Sequence, residues 1–102
     1  MGIASGLTTV RILGPSMEPA LRNGDCWVVR RGARVSVGDV VLAVHPLRPH
    51  LQIVKRVVRR EGDDWWLEGD NPDFSDDSRV YGPVSEIIGT LMFRYSPLIR
   101  RH

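Results

Sequence analysis

Short strands at regular spacing, almost no helical periodicity, and turn-forming residues at nearly every junction predict a mostly β fold. The expected architecture is an incomplete barrel or coiled antiparallel sheet with short helical turns. Residues 7–13 alternate as a strand that Gly14-Pro15 ends, and residues 16–23 form a turn around Pro19 that closes at Asn23-Gly24. Residues 26–31 are a short strand before the Gly32 turn. Gly38-Asp39 launches a strand over residues 40–45, and Pro46 and Pro49 mark a loop. Residues 51–60 form the longest strand, and Glu61-Gly62-Asp63-Asp64 turns it into a strand at 65–68. An acidic loop follows over residues 69–78. A helical turn is expected at 84–88 and a closing strand at 89–95.

A chain of 102 residues predicts a single domain. Its 42% hydrophobic and 25% charged residues are those of a soluble globule rather than a disordered tail. The net charge is only +2, but it is unevenly spread, with eight of the twelve acids between Glu61 and Asp77. Thirteen of the fourteen cations are arginines, which coding bias explains more economically than nucleic-acid binding. Cys26 is the only cysteine, so no intrachain disulfide forms. The longest apolar run, residues 40–44, is far shorter than the ~20 residues of a membrane helix. The first residues lack the basic and apolar regions of a secretory signal. A soluble, cytoplasmic chain is expected, with peripheral membrane contact left open.

The single lysine, Lys55, sits in the longest predicted strand. On a period of two it shares a face with Leu51, Ile53 and Val57, so its amine points where apolar residues point. Burial there favours the neutral amine, and only lysine among the cations is able to lose its proton. Snorkelling to water or pairing with an acid is the structural alternative. A second candidate is Ser16 in Gly14-Pro15-Ser16-Met17-Glu18-Pro19, where glycine and prolines hold one serine rigidly, as a nucleophile requires. A third is the segment Gly69-Asp70-Asn71 followed by Ser75-Asp76-Asp77-Ser78-Arg79.

Together these segments resemble the serine–lysine proteases of the type I signal peptidase class. Ser16-Met17-Glu18-Pro19 is similar to that family's nucleophile motif, and Asn23-Gly24-Asp25 and Val37-Gly38-Asp39 to its Gly-Asp strand openings. Lys55-Arg56-Val57 matches the lysine box, and Gly69-Asp70-Asn71 with Ser75 to Arg79 the C-terminal box. The resemblance runs from residue 12 to about 95, with every motif in order.

It implies Ser16 as nucleophile, Lys55 as general base, Ser75 as the hydroxyl that orients the lysine, and Asp77 with Arg79 as a supporting ion pair. The Ser16 N–H is the implied oxyanion donor. Gly14 stands where some relatives carry a hydroxyl as second donor. Compact size and the arginine-rich Trp65-Trp66 hairpin look like the branch that matures nickel-type superoxide dismutase by removing a leader. That makes the dismutase precursor the expected partner, with processing of exported proteins as the alternative. The resemblance implies no cofactor. His45, His50 and Cys26 match no zinc spacing, and a core cysteine with two loop histidines is the expectation. The acidic loop fails as a calcium loop, with Ser75 at its sixth position and Tyr81 at its twelfth. Trp65 and Trp66 alternate faces, so one is expected in the core and one exposed.

Overall fold

The computed structural model describes residues 6–32, 34–74 and 76–98. Six strands build one antiparallel sheet in the order β1-β2-β6-β3-β4-β5. They are β1 (Leu7–Arg11), β2 (Cys26–Arg31), β3 (Val40–His45), β4 (Arg48–Glu61), β5 (Asp64–Glu68) and β6 (Ile87–Ser96). The sheet does not close, so β1 and β5 are its edges. Helical turns occur at Pro72–Phe74, a 3₁₀ turn, and at α1 (Ser78–Tyr81). The fold class is therefore the mostly β, unclosed antiparallel sheet that strand spacing predicts.

Strand β3 is apolar at five consecutive positions because it has a core on each face. Leu42 joins Ile12, Met17, Leu21, Val29 and Leu91 in the first core. Val41 and Ala43 join Val57, Leu67 and Val84 in the second. Gly89 makes the close approach of β6 to its neighbour β2 possible, since a Cβ there would lie 2.5 Å from the Arg30 carbonyl oxygen. Register shifts in β2–β6 and β4–β5 add the curl that brings β1 round toward β4.

Several expectations are corrected. The helical turn expected at 84–88 is absent. Val84 instead bridges to Trp65, and β6 already begins at Ile87, because β-branched residues there fit a ladder better than a helix. Among the described residues, the α-helical turn falls instead at α1, which Asp77 caps. The loop expected around Pro46 and Pro49 shrinks to a tight turn, with Pro49 inside β4 beside a register shift that tolerates a residue without an N–H. His45 is buried at the end of β3 with its ring 4.3 Å from Tyr81, and Cys26 is only half-buried. Neither tryptophan is exposed: both are half-buried, Trp65 under the Arg60 guanidinium at 4.5 Å and Trp66 under Arg59 at 4.3 Å.

Candidate active site

The turn carrying Ser16 is built from its own sequence. Gly14 adopts φ +83°, a left-handed conformation open to glycine, and its N–H donates to the Asn23 side chain at 2.8 Å. The Glu18 N–H closes a turn on the Pro15 carbonyl at 3.0 Å, and Met17 is buried in the first core, anchoring the turn beneath Ser16. Pro19 is exposed on the far side. Both Gly-Asp sequences make one device: Asp25 accepts from the Arg22 N–H and Asp39 from the Ser36 N–H, each at 2.9 Å. These turns deliver β2 and β3 into the sheet.

Lys55 points inward as its strand period predicts and is only 6% exposed. Its Nζ lies 3.0 Å from the Ser16 Oγ, across 39 residues of chain. Burial holds the Lys55 amine below the range of a free lysine. Asp77 and Asp76 pull it back up, and Arg79 adds a smaller push downward. The ammonium donates this hydrogen bond; once neutral, the amine accepts from the hydroxyl instead. A hydroxyl within reach of a desolvated amine has the chemistry of an activated nucleophile.

The C-terminal box is tied to this pair. The Asn71 N–H donates to the Ser16 carbonyl at 2.9 Å, and its side-chain amide donates to the Pro15 carbonyl at 3.1 Å. Asp70 receives a two-pronged contact from Arg56, Nε at 2.9 Å and Nη2 at 2.8 Å, while Arg56 Nη1 donates to the Gly38 carbonyl at 2.7 Å. Arg56 thus fastens the box to the turn before β3. Sequence reasoning gave it no role, although its place beside Lys55 on the opposite strand face was legible.

Asp77 is fully buried and accepts from the Gly69 N–H at 2.8 Å, from Arg79 Nη2 at 2.7 Å and Nε at 3.0 Å, and from the Arg79 N–H. The ion pair expected of Asp77 and Arg79 is present. Burial alone would raise the Asp77 carboxyl, but the Arg79 and Gly69 hydrogen bonds hold it below its usual range. Ser78 is also buried and accepts from the Leu67 N–H at 2.9 Å, an anchor that the sequence reading passed over. Ser75, the hydroxyl expected to orient the lysine, lies outside the described residues.

A carboxyl held low contributes stability above its unfolded pKa and loses it as pH falls through the folded value. Asp77→Asn is therefore expected to lower Tm at neutral pH, because buried donors lose a charged acceptor, roughly 1–3 kcal/mol for each. The gap to wild type should narrow as pH falls through the lowered folded pKa, where the carboxylate itself takes up a proton. Thermal melts across pH check this, and a gap that does not change with pH would contradict it.

A cleft of about 280 Å³ opens beside the pair. Ile12 and Leu13 line one wall, Gln52 to Lys55 of β4 the other, and Met17 and Leu42 the floor. Strand β1 pairs on one side only, and β4 pairs with β5 only from Arg56 onward. Two open strand edges therefore face each other across the cleft.

Residues 2–92 match the family model described as peptidase S24-like. The mitochondrial inner membrane protease subunit 1 of Xenopus tropicalis is 38% identical over 83% of this chain and 66% of that protein. Its Homo sapiens counterpart is 37% identical over 83% of this chain and 67% of that protein. Subunit 2 of Mus musculus is 34% identical over 74% of this chain and 58% of that protein. The chain thus spans about two thirds of the length of the subunit 1 relatives. Among the described residues no helix is long and apolar enough to cross a membrane.

Proposed function

Because this chain belongs to the peptidase S24-like family, we propose that it is a serine endopeptidase in which Ser16 attacks and Lys55 is the general base. The observation that carries this reading is the 3.0 Å approach of Nζ to Oγ, with the amine desolvated beside an open cleft. Neutral Lys55 takes the Ser16 proton as Oγ adds to the scissile carbonyl. The Ser16 N–H, which makes no hydrogen bond among the described residues, is aimed at the developing oxyanion. Gly14 cannot add a second donor in this arrangement, since its N–H already binds Asn23. The protonated lysine then gives its proton to the leaving amine. Water next attacks the acyl-enzyme with Lys55 again as base, which releases the acid and restores the serine. In this reading Ser75 orients the lysine, and Asp77 with Arg79 holds the loop that carries it.

The proposed substrate is an N-terminal leader of a precursor protein, bound extended between the open edges of β1 and β4. A leader that is disordered before cleavage enters such a slot at little cost. The nickel superoxide dismutase precursor is the candidate implied by the resemblance of the sequence, with the cytoplasm as its compartment. A second reading is processing of exported precursors, and the relatives' names, inner membrane protease subunits, favour the membrane-linked setting it needs.

Intact-mass spectrometry of each precursor with wild type and Ser16→Ala separates the two. Single-site cleavage of the apo dismutase precursor by wild type alone is the expected result. Cleavage confined to exported precursors would move the assignment to the second reading, and cleavage of neither would refute leader removal.

A further inference from the structure

The open edge of β1 carries a cation that the proposed chemistry leaves unused. Peptide groups are planar and trans, so each N–H points opposite to the carbonyl of the residue before it. The Ile12 N–H donates to the Asp25 carbonyl and the Ile12 carbonyl accepts from the Gly24 N–H, each at 2.7 Å, so both face away from the open edge. The Arg11 carbonyl and the Leu13 N–H therefore point the other way, and both residues line the cleft. A strand added there pairs with these two groups. Its residue beside Arg11 carries a side chain on the face that Arg11 occupies, with the two Cβ atoms about 5 Å apart.

Val10 packs on the first core, whereas the Arg11 side chain alternates to the other face and is exposed. Its register neighbours across the sheet are Cys26 and then Ser96, and neither carries a carboxylate. Among the described residues the Arg11 guanidinium makes no ion pair and no hydrogen bond. Of the residues lining the cleft, Arg11 and Lys55 are charged and none is acidic. Lys55 is engaged with Ser16, which leaves Arg11 as the cleft's unengaged cation.

We propose that Arg11 is a specificity residue that selects an acidic side chain on the substrate strand, at the position paired beside it. This rests on the protease reading given above. Glutamate or aspartate at that position forms a cross-strand ion pair with the guanidinium, and lysine or arginine meets a like charge. The guanidinium fork offers a carboxylate two parallel N–H donors. The pair lies at the water-exposed rim, so its effect is discrimination between substrates, weakened by salt, rather than tight binding.

The test measures Kd by fluorescence anisotropy, using full-length Ser16→Ala protein and labelled, extended alanine-rich peptides. A single glutamate, glutamine or lysine is walked along each peptide. At one position glutamate should bind about three- to fivefold tighter than glutamine, and lysine should bind more weakly than glutamine. In about 1 M salt, where charges are screened beyond about 3 Å, these ratios should shrink toward one. Arg11→Glu, a change at an exposed side chain, should reverse the order so that lysine binds best at the same position. Equal affinities for the three peptides at every position would overturn the proposal. So would a glutamate preference that survives Arg11→Glu, or no binding by any peptide. The charge series and its salt dependence on unaltered Arg11 decide the matter even if Arg11→Glu does not fold. Cleavage of the tightest peptide by wild type is scored separately. A glutamate preference without cleavage would refute the protease reading and leave the Arg11 site standing.

Discussion

Replacing Ser16 by Ala or Lys55 by Met should each abolish peptide cleavage, a loss on the order of 10⁴-fold or more, while circular dichroism stays that of wild type. Neither side chain is a large apolar part of a core, so the fold does not depend on them. The double variant should lose little more than either single one, because nucleophile and base act as a unit joined by one 3.0 Å contact. Burst and steady-state kinetics on a cleaved leader peptide check this. Turnover retained in a folded single variant would refute the mechanism.

Lys55→Arg should be as inactive as Lys55→Met, although it keeps the positive charge, because a guanidinium does not surrender its proton in the working range. Wild-type rate should rise with pH through an apparent pKa below that of a free lysine, the direction that burial imposes on Lys55. The same shift has a consequence for stability. A lysine whose folded pKa lies below its unfolded value of 10.5 penalises the fold fully below the folded pKa, and the penalty fades as pH approaches 10.5. Lys55→Met should therefore melt higher than wild type at neutral pH, with the advantage shrinking in alkali. An active Lys55→Arg, or a Lys55→Met that melts lower at neutral pH, would contradict this account.

How much of this was legible in the sequence depends on the range of the interaction involved. Strands β2 and β3 fall where local pattern puts them, since turn residues bound Cys26–Arg31 and Val40–His45 on both sides. The inward direction of Lys55 follows from a period of two and needs no knowledge of the fold. Its meeting with Ser16 does not follow from periodicity, because a turn after β1 and the middle of β4 are joined only by the coiling of the sheet. There the order of the motifs supplied what local physics could not. The misplaced helical turn shows the reverse failure. Residues 84–88 have no cap or turn chemistry that demands a helix, whereas Asp77 before Ser78 is a ready N-cap. The role of Arg56 was hidden because its partners, Gly38 and Asp70, lie on different loops that only the folded sheet brings together.

The unpaired side of β1 carries a further implication. A sheet edge that must stay vacant to admit a chain is also a template on which another copy of the same edge could grow. Here the strand is only five residues long, ends in Arg11, and is followed after Ile12 and Leu13 by a glycine-proline turn. Brevity, charge and an abrupt stop are the features that discourage edge-to-edge aggregation. In the proposed reading, the same open edge also accepts a released leader, which remains an extended strand after it is cut. Product inhibition is thus built into the way such an enzyme grips its substrate.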